Sequence, residues 1–388
     1  MNVLVQLSHP AHFYLYKNAI KNLKNNGHNV HVLIKTKDIL EELLNNSNIP
    51  YHNILPIAHR KNKLGVLWDM LVRDWKILCF CRKHKIDLLT GSTPEVAHVS
   101  KLLRCCSVNT GEDDIAVVPA FAKVTGPFLQ CLLSPIVCDN TPLEKHSVHY
   151  PSYHELAYLH PNHFIPNKSI VEGYSIDTTK PYFILRFASL NAHHDDGIKG
   201  INTEIAQRLI DILSPHGQIY ITSERELEPQ FEPYRIRINP LDMHHVMAFA
   251  SLYIGDSQTM AAEAGVLGTP FVRFNDFVGR IGYLRELEDF YQLGYGIHAT
   301  PLTEESTIRR NDGSLQPNGV EALYNAVETL VAMPAEERRA LYAARREKML
   351  SEKIDYAKFL TWFIENYPDS QQQTRDNQNN DAFWAQFK

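Results

Sequence analysis

The strongest constraint on this chain is an alternation of short buried strands and amphipathic helices, which occurs in two separate series. The first series covers residues 3–139 and the second covers residues 182–274, with further helices after it. Residues 149–180 between them are rich in proline and aromatic residues and show little periodicity. Strands separated by helices pair in parallel and bury both faces of their sheet. The pattern therefore predicts an α/β protein of two doubly wound, Rossmann-like domains that face each other across a cleft.

The predicted domain boundaries follow from the two series and the connection between them. We expect an N-terminal domain over residues 1–165 and a C-terminal domain over residues 166–350, since 388 residues are enough for two cores of ordinary size. Residues 351–388 are expected to form a helix followed by a polar tail. Because that tail is rich in Gln and Asn, its composition predicts that it is disordered.

Composition and charge limit the kinds of partner. The net charge of −5 argues against broad binding of nucleic acid, which requires a clustered basic surface. The N-terminus lacks the basic segment, long apolar run and small-residue site of a secretion signal. The most apolar region, residues 115–138, is interrupted by Lys123, Gln130 and three prolines and is a poor membrane span. We therefore expect a cytoplasmic protein without a transmembrane segment. Peripheral contact with a membrane is compatible with these features.

Residues 252–270 form the strongest local motif. A buried strand ends at Gly255, small polar residues follow, and an Ala-rich helix begins. The first turn of a helix has free amide groups and the positive end of the helix dipole, so a phosphate group binds there readily. Ser257 and Thr259 add hydroxyl donors, and Glu263 lies one turn further along the same face, where a carboxylate suits ribose hydroxyls. The alternative is that Asp256 or Ser257 only caps the helix, while Glu263 lies in solvent.

This motif and two others resemble a known family. Residues 255–263 resemble the donor-binding segment of GT-B glycosyltransferases and of non-hydrolysing UDP-N-acetylglucosamine 2-epimerases. Residues 7–13 and 158–164 add to this resemblance. With them, residues 1–350 of the chain are similar to the domain of unknown function 354 family. That family is grouped with the GT-B proteins, and the resemblance implies a GT-B fold and a nucleotide-diphosphate sugar as ligand.

The resemblance also implies roles for individual residues of the motif. It implies that Ser257, Gln258 and Thr259 contact the diphosphate of the sugar donor, and that Glu263 binds the ribose. GT-B enzymes generally need no bound metal, so neither a metal nor another cofactor is expected. The epimerases have Ser-Gly-Gly where this chain has Ser-Gln-Thr, so the close approach of a glycine backbone to the phosphates is lost here.

Two loops of the first series carry candidate acid–base residues. His12 follows the first strand in the run Ser-His-Pro-Ala-His, and an imidazole there can take a proton from an acceptor hydroxyl. Glu112 and Asp113 follow the fourth predicted strand, where neighbouring carboxylates raise one another's pKa and can supply a base. The alternatives are structural: His9 and His12 cap the following helix, and Gly111 sets the backbone of a solvated turn.

A third loop follows the first strand of the second series. Arg186 and Ser189 are candidates to reach the donor diphosphate from this loop. Residues 193–196, His-His-Asp-Asp, have side chains that bind metals, but adjacent residues rarely converge on one ion without a distant ligand. We therefore favour a polar loop over a metal site.

Three functions are compatible with these motifs. The first is a glycosyltransferase that takes a nucleotide-diphosphate sugar as donor and a glycan or lipid-linked acceptor, in the synthesis of surface polysaccharides or glycoconjugates. The second is a nucleotide-sugar 2-epimerase, for which an Asp is expected in the loop at residues 91–94, where the chain has Gly-Ser-Thr-Pro. The third is a nucleotide-sugar-binding protein without catalytic activity. The missing Asp favours transfer over epimerisation.

Overall fold

The computed structural model describes residues 1–55, 63–188, 200–303, 308–310 and 312–388. The described chain forms two compact units, one made of Met1–His163 with Lys353–Lys388 and the other of Phe164–Glu352. The first boundary lies close to the predicted one. The C-terminal segment differs from the prediction, because it belongs to the first unit instead of forming a region of its own.

The described residues contain two sheets. The strands of the first unit are β1 (Asn2–Leu7), β2 (Asn29–Lys35), β3 (His52–Leu55), β4 (Leu88–Gly91), β5 (Cys106–Thr110), β6 (Leu132–Pro135) and β7 (Ser147–Tyr150). Those of the second unit are β8 (Tyr182–Phe187), β9 (Gln218–Ser223), β10 (Leu252–Gly255), β11 (Phe271–Phe274) and β12 (Gly294–Ile297). All neighbouring strands run parallel.

Helices connect and flank these strands. Those of the N-terminal part are α1 (Pro10–Asn25), α2 (Leu40–Asn46), α3 (Lys63–His84), α4 (Pro94–Leu103) and α5 (Pro119–Thr125). Those of the second unit are α6 (Lys168–Gly173), α7 (Thr203–Leu213), α8 (Met243–Phe249), α9 (Gln258–Leu267), α10 (Gly282–Arg285), α11 (Gly319–Ala332) and α12 (Ala335–Glu352). The last three are α13 (Tyr356–Glu365), α14 (Asp369–Asp376) and α15 (Asp381–Ala385). Among the described residues, no helix is both long and apolar enough to cross a membrane.

The strand orders are those of doubly wound folds. The first unit has the order β3-β2-β1-β4-β5-β6-β7, and the second has the order β12-β11-β10-β8-β9. Consecutive residues of the central strands are buried, as Val3, Leu4 and Val5 are in β1. Side chains alternate between the two faces of a strand, so both faces of the sheet are covered. The predicted α/β class with two Rossmann-like parallel sheets is confirmed.

Some predicted elements differ from those in the structure. The sequence pattern predicts a helix over residues 120–133 and a strand over 136–139, whereas α5 ends at Thr125 and β6 already occupies Leu132–Pro135. Gly126 caps the helix and Pro127 follows it, and a proline disfavours helical backbone in the residue before it. The strands β3, β7 and β12, each four residues long, were not predicted; all three lie at sheet edges, where short strands carry little periodic signal.

The C-terminal tail is ordered, in contrast to the disorder predicted from its composition. It forms α14 and α15 and packs on the first unit through Trp384 and Phe387, which are both buried. Their rings lie 5.5 and 5.2 Å from the ring of Phe359 on α13. The amide of Asp355 also donates to the carbonyl of Phe387 at 2.9 Å. Two aromatic anchors therefore compensate for a tail that is otherwise polar.

Candidate functional site

The candidate donor site lies at the topological switch point of the second unit. The neighbouring strands β8 and β10 continue toward opposite edges of the sheet, and open α/β sheets bind ligands outside the carboxyl ends of such a pair. Arg186 of β8 is in register with Gly255, the last residue of β10. The motif predicted from the sequence therefore lies at the switch point, with Arg186 beside it.

The first turn of α9 has amide groups that are suited to binding an anion. Ser257 caps the helix, and its Oγ accepts the amide hydrogen of Met260 at 3.4 Å. The amides of Gln258 and Thr259 belong to the first turn, in which no helix carbonyl is available as acceptor. Residues 257–260 are partly exposed, so an anion can reach these groups. Ser257 therefore caps the helix, and Asp256 does not; the hydroxyl hydrogen of Ser257 is still able to donate to a ligand.

Asp256 connects this turn to the loop after β8. It is buried, and its two oxygens accept the amide hydrogens of Ala188 at 2.6 Å and of Ile201 at 3.3 Å. The side chain of Asn275 donates to the Asp256 carbonyl at 2.9 Å. Burial raises the pKa of the Asp256 carboxyl to about 6, although the backbone hydrogen bonds act in the opposite direction. Asp256 thus holds the backbone on which the candidate site is built.

Gly255 allows the Tyr253 hydroxyl and the backbone of Arg186 to pack closely against it beneath the candidate site. A Cβ at this position would lie 2.6 Å from the Tyr253 hydroxyl and 2.9 Å from the carbonyl oxygen of Arg186. Tyr253 is fully buried, and its hydroxyl has no hydrogen-bond partner among the described atoms. The guanidinium of Arg186 pairs with Glu224 through Nη2, while its Nε has no partner in the described part of the chain. Buried polar groups of this kind mark places where solvent or a ligand completes the hydrogen bonding.

Glu263 is buried and does not point into solvent. Its Oε1 lies 2.9 Å from Nε2 of His244 on α8, and both side chains are about 5% exposed. The solvated alternative is therefore wrong, whereas the ribose-binding role stays a prediction. His244 was missed because the sequence around it, Met-His-His-Val, has no motif. Its position in a buried pair with Glu263 becomes visible only in the structure.

Two predictions fall outside the described residues. Ser189, expected to contact the diphosphate, lies there, and so does the His-His-Asp-Asp run at 193–196. In the described part of the chain, no group of three or more His, Cys, Asp or Glu side chains has the arrangement of a metal site.

His12 lies at the switch point of the first unit, where β1 and β4 are neighbours. Its Nδ1 is 3.3 Å from the amide nitrogen of Ser8, which can only donate, so the ring hydrogen of a neutral His12 lies on Nε2. Burial is the main reason why the pKa of His12 falls to about 3, and His9, His154 and Lys35 add to the decrease. His12 is thus neutral at pH 7, and in this arrangement its Nε2 carries the ring hydrogen and can only donate a hydrogen bond. A role as general base, which stays a prediction, would require the other tautomer.

Glu112 is held by a residue that the sequence analysis missed. Its Oε1 accepts the amide hydrogen of His154 at 2.7 Å, and its Oε2 lies 3.3 Å from Nδ1 of the same residue. Burial, together with the nearby carboxylates of Glu155 and Asp113, raises the pKa of Glu112 well above its usual range. Burial lowers the pKa of His154 to about 3, so its ring is neutral. Asp113, by contrast, is exposed.

The structure therefore brings together some of the predicted acid–base residues and adds new ones. His12, Glu112, His154 and Glu155 influence one another's charge at the carboxyl edge of the first sheet. His154 and Glu155 follow β7, in the segment that was interpreted as a connection between domains. A polar pair directly after a strand is the signal that could have identified them, but β7 itself was not predicted.

Comparisons with known proteins add information on the fold. No family model and no curated protein sequence matches this chain. Among solved structures, UDP-GlcNAc 2-epimerase from Neisseria meningitidis bound to UDP-GlcNAc is 13% identical, with a TM-score of 0.62 over 94% of this chain and 99% of that one. The S. aureus MnaA–UDP co-structure is 12% identical, with a TM-score of 0.62 over 94% and 95%. The spinosyn rhamnosyltransferase SpnG complexed with spinosyn aglycone is 15% identical, with a TM-score of 0.58 over 94% and 100%. At these identities the likeness establishes a GT-B fold.

Proposed function

We propose that this protein is a glycosyltransferase that uses a nucleotide-diphosphate sugar as donor. The observation that carries the proposal is the first turn of α9, which presents the amides of Gln258 and Thr259 at the switch point between β8 and β10. A diphosphate is the natural ligand of such a turn, because free amides and the helix dipole both favour negative charge. The structures that resemble this chain include enzymes with UDP-GlcNAc or UDP bound.

The same groups would act in the reaction. When the bond between the sugar and the diphosphate breaks, negative charge develops on the leaving phosphate. The amides, the hydroxyls of Ser257 and Thr259, and the guanidinium of Arg186 are suited to stabilise that charge. Glu263, positioned by His244, would accept hydrogen bonds from the ribose. The acceptor, a glycan or a lipid-linked sugar in our proposal, would bind the first unit.

Acceptor activation would involve the acid–base residues of the first unit. Deprotonation of an acceptor hydroxyl requires a group that takes up a proton near neutral pH. Glu112 has a raised pKa and lies against His154, which makes it better suited to this role than the exposed Asp113. His12 would donate a hydrogen bond from Nε2 in the observed arrangement.

One observation favours nucleotide-sugar 2-epimerisation as a second candidate. Inversion at C2 requires residues that remove and return a proton on opposite faces of the sugar, and Glu112, Glu155 and His154 form a partly buried acid–base cluster. Against this candidate, the loop after β4 has no carboxylate in Gly-Ser-Thr-Pro.

The decisive experiment incubates the protein with a panel of nucleotide-diphosphate sugars without acceptor and follows the sugar C2 proton by NMR. Binding without inversion is expected, followed by turnover when glycan or lipid-linked acceptors are added. Inversion at C2 would indicate that the protein is a nucleotide-sugar 2-epimerase and not a glycosyltransferase. Absence of binding to every donor, measured by calorimetry, would overturn both.

A matched pair of variants tests the location of the donor. Thr259→Val removes a hydroxyl from the first turn of α9, whereas Ser251→Ala removes one just before the opposite end of β10. We expect weaker donor binding in the first variant only, by about tenfold or less for a single hydrogen bond. Equal affinities in both variants would place the donor elsewhere.

A further inference from the structure

Helix α3 carries apolar side chains both in the core and on the surface of the first unit. Ile77, Leu78 and Cys81 are buried in the core of the first unit, as expected for a helix that covers a sheet. Trp68, Leu71 and Trp75 are 57%, 52% and 63% exposed. These three residues are spaced three and four positions apart, so they form one stripe along the helix. A surface helix ordinarily has a polar outer face, and the stripe is a departure from that rule.

Two further exposed apolar residues lie on or next to the helices that pack beside α3. His98 of α4 contacts the carboxylate of Asp74 on α3 at 3.0 Å, and its ring lies 4.8 Å from the ring of Phe128. Leu102 is one helical turn beyond His98 on α4. Phe128 and Leu102 are 40% and 65% exposed. We use the term outer patch for the five exposed apolar residues, which are Trp68, Leu71, Trp75, Leu102 and Phe128.

The elements that carry the outer patch are basic, whereas the whole chain is acidic. Helices α3 and α4, which carry four of the five residues of the outer patch, contain six Lys or Arg residues and three Asp or Glu residues. Glu95 pairs with Arg73, and Asp74 contacts His98, so five of the basic residues and one acidic residue, Asp69, are outside these two pairs. The chain as a whole has a net charge of −5. The helices that carry most of the outer patch therefore have more basic than acidic residues, in contrast to the whole chain.

We propose that the first unit docks on an anionic lipid membrane through the outer patch. Tryptophan is favoured at the boundary between acyl chains and headgroups, where its ring is buried and its N–H stays hydrated. Lysine and arginine around such residues bind the acidic headgroups. Together, the exposed tryptophans and the surplus of basic residues match this surface. The proposal is independent of the proposed enzymatic activity.

The test measures co-sedimentation of the full chain with vesicles. Vesicles of phosphatidylcholine mixed with phosphatidylglycerol should bind the protein, and added salt should weaken the binding, whereas pure phosphatidylcholine should bind it poorly. The double variant Trp68→Ala/Trp75→Ala should lower the partition coefficient by about tenfold or more. The control variant Ile165→Ala removes an apolar side chain of the second unit that is even more exposed, at 79%, and should bind like the unmodified protein.

Tryptophan fluorescence provides a second readout that does not depend on substitution. The chain has four tryptophans, of which Trp362 and Trp384 lie in the aromatic cluster of the C-terminal segment. Quenching by brominated lipid should therefore arise from Trp68 and Trp75. Absence of binding to anionic vesicles at low salt, or binding without quenching, would overturn the proposal. The proposal would also be overturned if the protein formed a dimer that bound no vesicles and that the double variant dissociated. The outer patch would then contact a second copy of the chain.

Discussion

Asp256 accepts the backbone amide of Ala188 at 2.6 Å, and this contact joins the carboxyl ends of β8 and β10 at the candidate donor site. The other oxygen of the same carboxylate accepts the amide of Ile201. A side chain with two acceptor oxygens is therefore required, because both partners are donors. The residue that precedes the anion-binding turn is thus a structural residue, and the turn depends on it for its position.

Replacing Asp256 by Asn should destabilise the second unit. The amide group has only one acceptor oxygen, so one of the two backbone donors would lose its partner and face an NH₂ group. A loss of about 1–3 kcal/mol in the free energy of unfolding is expected for such a buried defect, measurable by urea denaturation. Asp177→Asn, at an exposed site, serves as the control. Equal stability of both variants would contradict the role given to Asp256.

Gly255→Ala should destabilise the protein because the new Cβ has no space. It would lie 2.9 Å from the carbonyl oxygen of Arg186, a backbone atom that cannot move without disturbing β8. We expect a loss of about 1–3 kcal/mol, together with weaker donor binding. Gly173→Ala is the matched control, since its Cβ would meet nothing within 4 Å. If both substitutions had the same effect in urea denaturation, the packing argument would fail.

The acid stability of the first unit should depend on His12 and His154. The pKa of each falls from 6.5 to about 3 in the folded protein, so between these values the unfolded chain binds more protons. Stability should therefore decrease as the pH falls from about 6.5 toward 3. The variant His154→Gln should show a shallower decrease in the free energy of unfolding over this range. An unchanged slope would mean that His154 does not titrate as proposed.

Glu263→Gln should weaken binding of the nucleotide through the ribose. A carboxylate accepts two ribose hydroxyls better than an amide does, so we expect a decrease in affinity of about tenfold. The unmodified protein should bind a nucleotide better than its 2′-deoxy form, and this preference should disappear in the variant. Calorimetry with both nucleotides measures it. If the variant still bound the nucleotide better than its 2′-deoxy form, Glu263 would not bind the ribose. Its role would then be limited to the contact with His244.

Glu112 and Asp113 provide a comparison between neighbouring carboxylates. Glu112→Gln should lower kcat by about 100-fold or more if Glu112 transfers a proton, while Asp113→Asn should have little effect. The physical reason is that Glu112 is held against His154, whereas Asp113 is exposed. Initial rates across a pH series, on variants shown to be folded by circular dichroism, measure the difference. A larger loss in Asp113→Asn would reverse the assignment.

Local sequence was sufficient to identify the fold class and the strand, turn and helix on which the donor site is predicted. Alternating strands and helices are recognisable from periodicity, and a strand followed by Gly255 and a capping Ser257 is a local signal as well. Each of these features depends on residues that are close together in the chain. Propensity and side-chain periodicity therefore determined them without knowledge of the folded structure.

Only the tertiary structure decided which polar residues meet. Glu112 contacts His154 across 42 positions, and His244 meets Glu263 across 19. The polar C-terminal tail is ordered because Trp384 and Phe387 pack on Phe359. Whether a polar side chain is buried, which group it contacts and whether it is charged all depend on the packing of distant segments. No local sequence pattern encodes that packing. The sequence by itself thus determined where strands such as β1, β5 and β10 end and ligands are expected, and the folded chain determined which side chains meet there.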